Sequence, residues 1–227
     1  MSRILFVFTS TSKTPTGRPT GWFLPEAAHP YYALSSHYDI DFAASGGPNP
    51  PADPVSVEEY TDEDSTRFLV DPVVKHLLEN AKKLDTVKAD DYQAIYYVGG
   101  LGPTTDLVGN KANTTLAENF YHSGKLIAVV CHAAAAIIDV KGLDGKSIFD
   151  GRTVTAFSNE EMELFDGIKD VPFLIEDEIK RLGGKYVKAD EPLGVKVVRD
   201  GNFISGQNPN SARLLGEEIL KFLQEKV

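Results

Sequence analysis

Short apolar runs alternate along the chain with segments of helical periodicity. Runs of strand length occur at 4–8, 39–44, 94–98, 126–130 and 153–157. Apolar positions with helical spacing occur at 25–36, 72–84, 113–122, 172–182 and 211–224. A further pair of short runs, 195–198 and 203–205, flanks Asp200-Gly201 and predicts a β-hairpin. The alternation predicts an α/β fold, with a mostly parallel sheet covered by helices on both faces. We expect residues 1–227 to form a single domain, with the Pro/Gly-rich stretch Gly46–Pro54 as a surface loop.

Composition narrows the possible partners. The 227 residues are 42% hydrophobic, enough for a sizeable core, and the formal net charge is −10. The acidic balance argues against nucleic acid and anionic membranes as partners, and no apolar run approaches the length of a membrane span. A single cysteine excludes an internal disulfide and fits a reducing cytoplasm. The five histidines are scattered without metal-ligand spacing, so we expect no metal site.

The single cysteine lies between a predicted strand and a predicted helix. Cys131 and His132 stand between the strand Leu126–Val130 and the helix-forming block Ala133–Ala136. The serine version of this strand–turn–helix pattern is the nucleophile elbow of hydrolases. A thiol there would lie near helix N-terminal N–H groups, which favour the thiolate, so we expect strained backbone angles and a pKa below about 8.5. The alternative is a buried thiol that only fills space in the core.

Two other segments could complete a site around this thiol. Gly99-Gly100-Leu101-Gly102 follows a strand at the sheet edge, where its backbone N–H groups could form an oxyanion hole or simply make a tight turn. Glu26 lies at the start of the first predicted helix, close in sequence to Trp22, Phe23 and Leu24. Poor solvation there should raise the pKa of its carboxyl and let it hydrogen-bond the thiol. The alternative for Glu26 is an ordinary first-turn acid that answers the helix dipole.

Together these segments resemble the ThiJ/PfpI superfamily, and within it the branch of glutathione-independent glyoxalases and yeast heat-shock-protein-31-type chaperones. The resemblance rests on Thr16–Pro30, Tyr92–Leu107, Ala128–Ile137, Gly151–Glu163 and Gly206–Ala212. It implies a flavodoxin-like sandwich, a homodimer and a cofactor-free reaction of methylglyoxal with water to give D-lactate. By this resemblance Cys131 is the nucleophile, His132 and Glu26 are its acid–base partners, and Gly100 with His132 forms the oxyanion hole.

The third acid of the implied triad is the least defined. It should lie in Ser158–Glu163, where an alignment without gaps from Phe157 places Met162 at the acid's position. A small shift in register brings in Glu163, the residue we favour, as hydrogen-bond partner of His132. The chain also has Leu101 where the family often has His, and Cys-His-Ala-Ala where it often has Cys-His-Gly-Pro.

Three functions remain open from the sequence. The first is a glyoxalase acting on a small aldehyde, because Trp22, Phe23 and Leu101 are bulky residues expected near the thiol. The second is a stress-response chaperone or a redox sensor that uses reversible oxidation of Cys131. The third is a small amidase or peptidase. In all three we expect Glu26, rather than His132, to be the direct partner of the thiol, since a side chain adjacent in sequence at a sharp turn tends to project away.

Overall fold

Parallel strand pairing organises the computed structural model, which describes residues 3–225. The strands are β1 (Arg3–Phe8), β2 (Asp39–Ala44), β3 (Lys82–Lys83), β4 (Ala94–Tyr97), β5 (Leu126–Val130), β6 (Thr153–Val154), β7 (Lys185–Tyr186), β8 (Val197–Asp200) and β9 (Phe203–Gly206). Seven strands form one sheet in the order β3-β2-β1-β4-β5-β9-β8, and β8 pairs antiparallel with β9. Strands β6 and β7 form a separate parallel pair.

Helices follow most strands and cover the sheet. They are α1 (Leu24–Leu34), α2 (Pro54–Glu59), α3 (Glu63–Val70), α4 (Pro72–Glu79), α5 (Pro103–Asp106), α6 (Lys111–His122), α7 (Asn159–Leu164), α8 (Ile175–Arg181) and α9 (Ala212–Glu225). Every residue of β4 and β5 is buried, as expected when a parallel sheet is covered on both faces. Helices α1 and α9 pack against each other, and α6 packs against β4 and β5. None of the helices in residues 3–225 is long and apolar enough to cross a membrane.

The sequence predictions for the sheet are largely confirmed. Strands β2 and β5 have the predicted bounds, and the predicted hairpin is formed by β8 and β9. Polar caps explain where several helices begin: Asp71 accepts a hydrogen bond from Val73 N–H before α4, and Asn110 accepts bonds from the first turn of α6. Fully buried apolar strands are therefore the elements that hydrophobic periodicity located best.

Other boundaries differ from the prediction. Helix α4 ends at Glu79 rather than 84, because the backbone leaves helical geometry at Asn80, where φ is −116° and ψ is 22°. Val73, one of the apolar positions of this predicted helix, is 57% exposed. The strand expected at 153–157 is only the two residues of β6, and the four short helices α2, α3, α5 and α7 were not predicted. The segment Cys131–Ile137 is a 3₁₀ helix, tighter than the α-helix its alanines predict.

Candidate active site

The cysteine lies at the carboxyl edge of the sheet, as the elbow pattern predicts. Strands β4 and β5 are parallel neighbours, with Tyr97 opposite Val129, so the turn after β4 and the turn after β5 meet at this edge. Cys131 is 5% exposed and has φ 57°, in the left-handed region that non-glycine residues rarely adopt. The expected backbone strain is confirmed, and strain of this kind clusters at functional sites.

The Glu26 carboxyl lies beside the thiol, in space that the glycine turn leaves open. The Phe23 N–H donates to the Gly99 carbonyl at 3.1 Å, which holds the start of α1 against this turn. A methyl group at Gly99 would overlap Glu26 Oε2 and lie 2.9 Å from Cys131 Cβ. The glycine therefore leaves room for the carboxyl to adjoin the thiol, as expected from the sequence.

Burial controls the charge of this carboxyl. Glu26 is fully buried, and although it adjoins Cys131 and the Gly100 backbone N–H, neither carboxyl oxygen makes a hydrogen bond of standard geometry. Loss of solvation, more than any nearby charge, raises the pKa of Glu26 to about 8. The predicted rise is confirmed, and it leaves the carboxyl mostly protonated at neutral pH.

His132 contacts the thiol directly, contrary to the expectation that it projects away. Its Nδ1 lies 3.3 Å from Cys131 Sγ, and its Nε2 lies 3.2 Å from Met162 Sδ. The ring also packs on Phe157, with centroids 4.8 Å apart. A thioether sulfur can only accept, so the Nε2 nitrogen carries the proton and the Nδ1 lone pair faces the thiol. Burial lowers the pKa of His132 to about 3, so the ring is neutral.

The expected pairing of His132 with Glu163 is wrong. Glu163 is exposed, and Met162 occupies the position at His132 Nε2. The cause is the phase of α7: Ser158 and Glu161 form a capping box, which directs Glu161 and Met162 inward and leaves Glu163 outward. The register without gaps, in which Met162 takes the acid's position, is the one that the structure adopts.

The buried Glu161 does not replace the missing acid. Its carboxyl accepts hydrogen bonds from Ser158 N–H and Oγ, Leu193 N–H, Gln207 Nε2 and Asn208 Nδ2. These donors occupy both carboxyl oxygens, so the side chain serves to connect the start of α7 to the segment around Asn208. His132 consequently has no carboxylate partner among the described residues.

The thiol itself is less acidic than the elbow pattern suggests. Burial, followed by the nearby Glu26 carboxylate, raises the pKa of Cys131 well above its ordinary value. The backbone N–H groups of His132 and Gly100 face the sulfur and lower the pKa, but they do not offset the loss of solvation. The expected depression of the thiol pKa is therefore wrong, because the site is drier than an open elbow would be.

A small, mostly apolar pocket opens onto the thiol. Its volume is roughly 200 Å³, and Cys131, His132, Phe23 and Leu101 line it. Trp22 was expected near the thiol, but it does not line this pocket. Its ring packs in the core, 5.5 Å from the Phe8 ring and 5.8 Å from that of Phe68.

Other groups of this pocket were not found from the sequence. Arg18, Asp53 and Glu59 line the pocket with Tyr60, which follows α2. The pair Asp53-Pro54 caps α2 in the way that Asp71-Pro72 caps α4, so this signal could have located the helix. In residues 3–225 no three His, Cys, Asp or Glu side chains are arranged to hold a metal ion.

These features define an α/β protein with a cysteine at a strained strand–helix turn, flanked by a buried carboxyl and a neutral imidazole. The sequence profile of the DJ-1/PfpI family matches residues 26–222, and the chain belongs to this family.

Similar proteins cover nearly the full chain. Glyoxalase 3 of Candida albicans is 24% identical over 231 aligned positions, covering 97% of this chain and 98% of that protein. The glutathione-independent glyoxalase HSP31 of Saccharomyces cerevisiae is 29% identical over 206 positions, covering 86% of each. The X-ray structure of Rapid Encystment Protein 24 KDa from Francisella tularensis has a TM-score of 0.92 and 33% identity, covering 97% of this chain and 98% of that one.

Proposed function

We propose that this protein is a glutathione-independent, cofactor-free glyoxalase-like enzyme that converts methylglyoxal and water to D-lactate. The names of the similar proteins support the reaction class. The observation that carries the proposal is the buried Glu26 carboxyl beside Cys131, with a pKa of about 8. A carboxyl with a pKa near neutral pH can both remove and return a proton, which the shift of hydrogen between two carbons requires.

The first step forms a hemithioacetal. Cys131 Sγ, which His132 Nδ1 contacts at 3.3 Å, bonds to the aldehyde carbon of methylglyoxal, C1, as the thiol proton passes to the carboxylate form of Glu26 beside it. The C1 oxygen accepts hydrogen bonds from the backbone N–H groups of Gly100 and His132, then takes up the proton from Glu26, which restores the carboxylate. Gly100 has φ 101° and closely approaches the Gly21 carbonyl, so a side chain at this position would displace its N–H.

The second step moves hydrogen from C1 to C2. Glu26, as carboxylate, removes the C1 proton, the C1–C2 double bond forms, and the C2 carbonyl electrons move to its oxygen. Glu26 then returns the proton to C2, while the proton of the C1 hydroxyl ends on the C2 oxygen. C1 is oxidised to a thioester as C2 is reduced to an alcohol, so no external redox partner is needed. Water finally cleaves the thioester, releasing lactate and restoring the Cys131 thiol.

The test is D-lactate formation from methylglyoxal without glutathione. We expect wild type to be active, and Cys131→Ala and Glu26→Gln to be inactive. Glu163→Gln is the matched control, since it removes an exposed carboxylate from the same segment and should retain wild-type turnover. Equal D-lactate production by wild type and Cys131→Ala would overturn the proposal.

A chaperone role is the second candidate, and it rests on one feature of the surface. Leu164, Phe165 and Ile168 are 63%, 48% and 44% exposed, and they lie close together in sequence at and just after the end of α7. If this patch binds unfolded chains, Leu164→Ser should reduce the suppression of client aggregation while methylglyoxal turnover is kept, because Leu164 does not line the pocket at Cys131.

We also propose that residues 1–227 act as one domain and that the protein is a cytoplasmic homodimer. Residues from Glu26 to Met162 meet at one site, and α9 packs on α1, which supports a single folding unit. Gel filtration with light scattering should give twice the chain mass of 24.8 kDa, and a monomer at micromolar concentration would contradict the dimer.

A further inference from the structure

A tyrosine that no step above uses lies in the pocket with the reacting groups. Tyr60 lines the same pocket as Cys131, His132 and Gly100. Its ring packs edge-on against Phe23, with centroids 5.4 Å apart. Within residues 3–225 its hydroxyl has no hydrogen-bond partner, whereas the hydroxyls of Tyr96 and Tyr97 are bonded to Glu26 O and Asn113 Oδ1. A donor left free beside a nucleophile is available to a ligand.

The position of Tyr60 is fixed by a chain of bonds to the start of α1. The Asp53 N–H donates to the Trp22 carbonyl at 2.8 Å, and the Leu24 N–H donates to Ser56 Oγ at 3.0 Å. Helix α2 is therefore attached on two sides to the segment that carries Glu26. The Tyr60 N–H closes this helix onto the Ser56 carbonyl at 3.2 Å. These bonds fix the backbone of Tyr60 and the contact with Phe23 fixes its ring, which suits a preorganised donor.

Electrostatics agrees with this placement. Burial, with contributions from the charged forms of Glu26 and Cys131, raises the pKa of Tyr60 to about 12. The hydroxyl therefore stays protonated at neutral pH and can act as a hydrogen-bond donor.

In the proposed reaction the C2 oxygen lacks a hydrogen-bond donor, which this hydroxyl can supply. Gly100 and His132 supply donors for the oxygen on C1, but negative charge also develops on the C2 oxygen when Glu26 removes the C1 proton. We propose that Tyr60 is a further catalytic residue, whose hydroxyl donates a hydrogen bond to the C2 oxygen of an uncharged 1,2-dicarbonyl substrate. The proton lost from the C1 hydroxyl is the one gained at the C2 oxygen, so Tyr60 ends the cycle unchanged.

The inference rests on the proposed function and is tested with Tyr60→Phe, which keeps the ring contact with Phe23. We expect kcat for methylglyoxal to fall about 100-fold, as for loss of one oxyanion donor, with KM changed little. The iodoacetamide alkylation rate of Cys131 should be unchanged. Tyr32→Phe is the control, because it removes a hydroxyl that bonds Asp71 and should leave kcat unaltered. Unchanged kcat in Tyr60→Phe would overturn the role.

A second measurement separates failure of this role from failure of the glyoxalase reaction. Acetohydroxamate imitates the planar enediolate, with two adjacent oxygens, and should protect Cys131 of wild type from iodoacetamide. Tyr60→Phe should weaken the protection constant about 10-fold or more, because one donor to the ligand is lost. If wild type shows no turnover but acetohydroxamate still protects wild type better than Tyr60→Phe, the glyoxalase reaction is refuted and the Tyr60 assignment stands. Equal or absent protection in both proteins would overturn the Tyr60 assignment.

Discussion

The buried carboxyl of Glu26 makes a specific prediction about stability and pH. In the unfolded chain this group ionises near its ordinary value of 4.5, whereas the folded protein holds the pKa at about 8. Between these values the folded state binds a proton that the unfolded state has released. The contribution of Glu26 to stability is therefore complete below pH 4.5 and is lost as pH rises towards 8.

The size of the effect follows from the shift. Each pKa unit is worth about 1.36 kcal/mol, so a rise from 4.5 to about 8 corresponds to about 5 kcal/mol in the free energy of unfolding. His132 acts in the opposite direction. Burial lowers its pKa from 6.5 to about 3, so its contribution to the free energy of unfolding grows as pH rises between these two values. The two effects oppose each other between pH 4.5 and 6.5, so wild type should lose stability most clearly between pH 6.5 and 8.

Urea unfolding at a series of pH values from 4.5 to 8.5 measures this dependence. The difference between wild type and Glu26→Gln isolates the carboxyl: the variant lacks the titrating group, so its advantage over wild type should grow by about 5 kcal/mol across the range. Glu163→Gln, which removes an exposed carboxylate, should follow the wild-type curve. If wild type and Glu26→Gln give parallel curves, the carboxyl is not held neutral by burial and its proposed role as a proton carrier fails.

Further predictions concern the neighbours of Glu26. Alkylation of Cys131 by iodoacetamide should still accelerate above pH 9, and a plateau below pH 8 would contradict the buried-thiol description. Gly99→Ala should abolish D-lactate formation, because the added methyl overlaps Glu26 Oε2 and lies 2.7 Å from the Val130 carbonyl; full activity would show that the turn can move. Met162→Glu should raise the pKa of His132 by about 1–3 units in an NMR titration and speed turnover, whereas Met162→Leu should do neither.

Several features of this site follow from local sequence. The unbroken apolar run Leu126–Val130 is followed directly by Cys131 and therefore places a thiol at the end of a buried strand. The φ of 57° observed at Cys131 fits that position. Glu26 lies at the start of α1, close in sequence to Trp22, Phe23 and Leu24, which was enough to predict a poorly solvated carboxyl. Strand burial and helix entry depend mainly on short-range patterns, so the sequence could locate both groups.

Tertiary structure decided how these groups interact. The turn at Cys131 brings the His132 ring back onto the thiol, and the phase of α7 selects Met162 instead of Glu163 as its other neighbour. Tyr60 enters the pocket only because α2 is attached to the segment before α1. The thiol pKa rises because distant segments exclude water from the site. Local patterns place residues on elements, but desolvation and side-chain contacts depend on the packing of segments far apart in the chain, which those patterns do not encode.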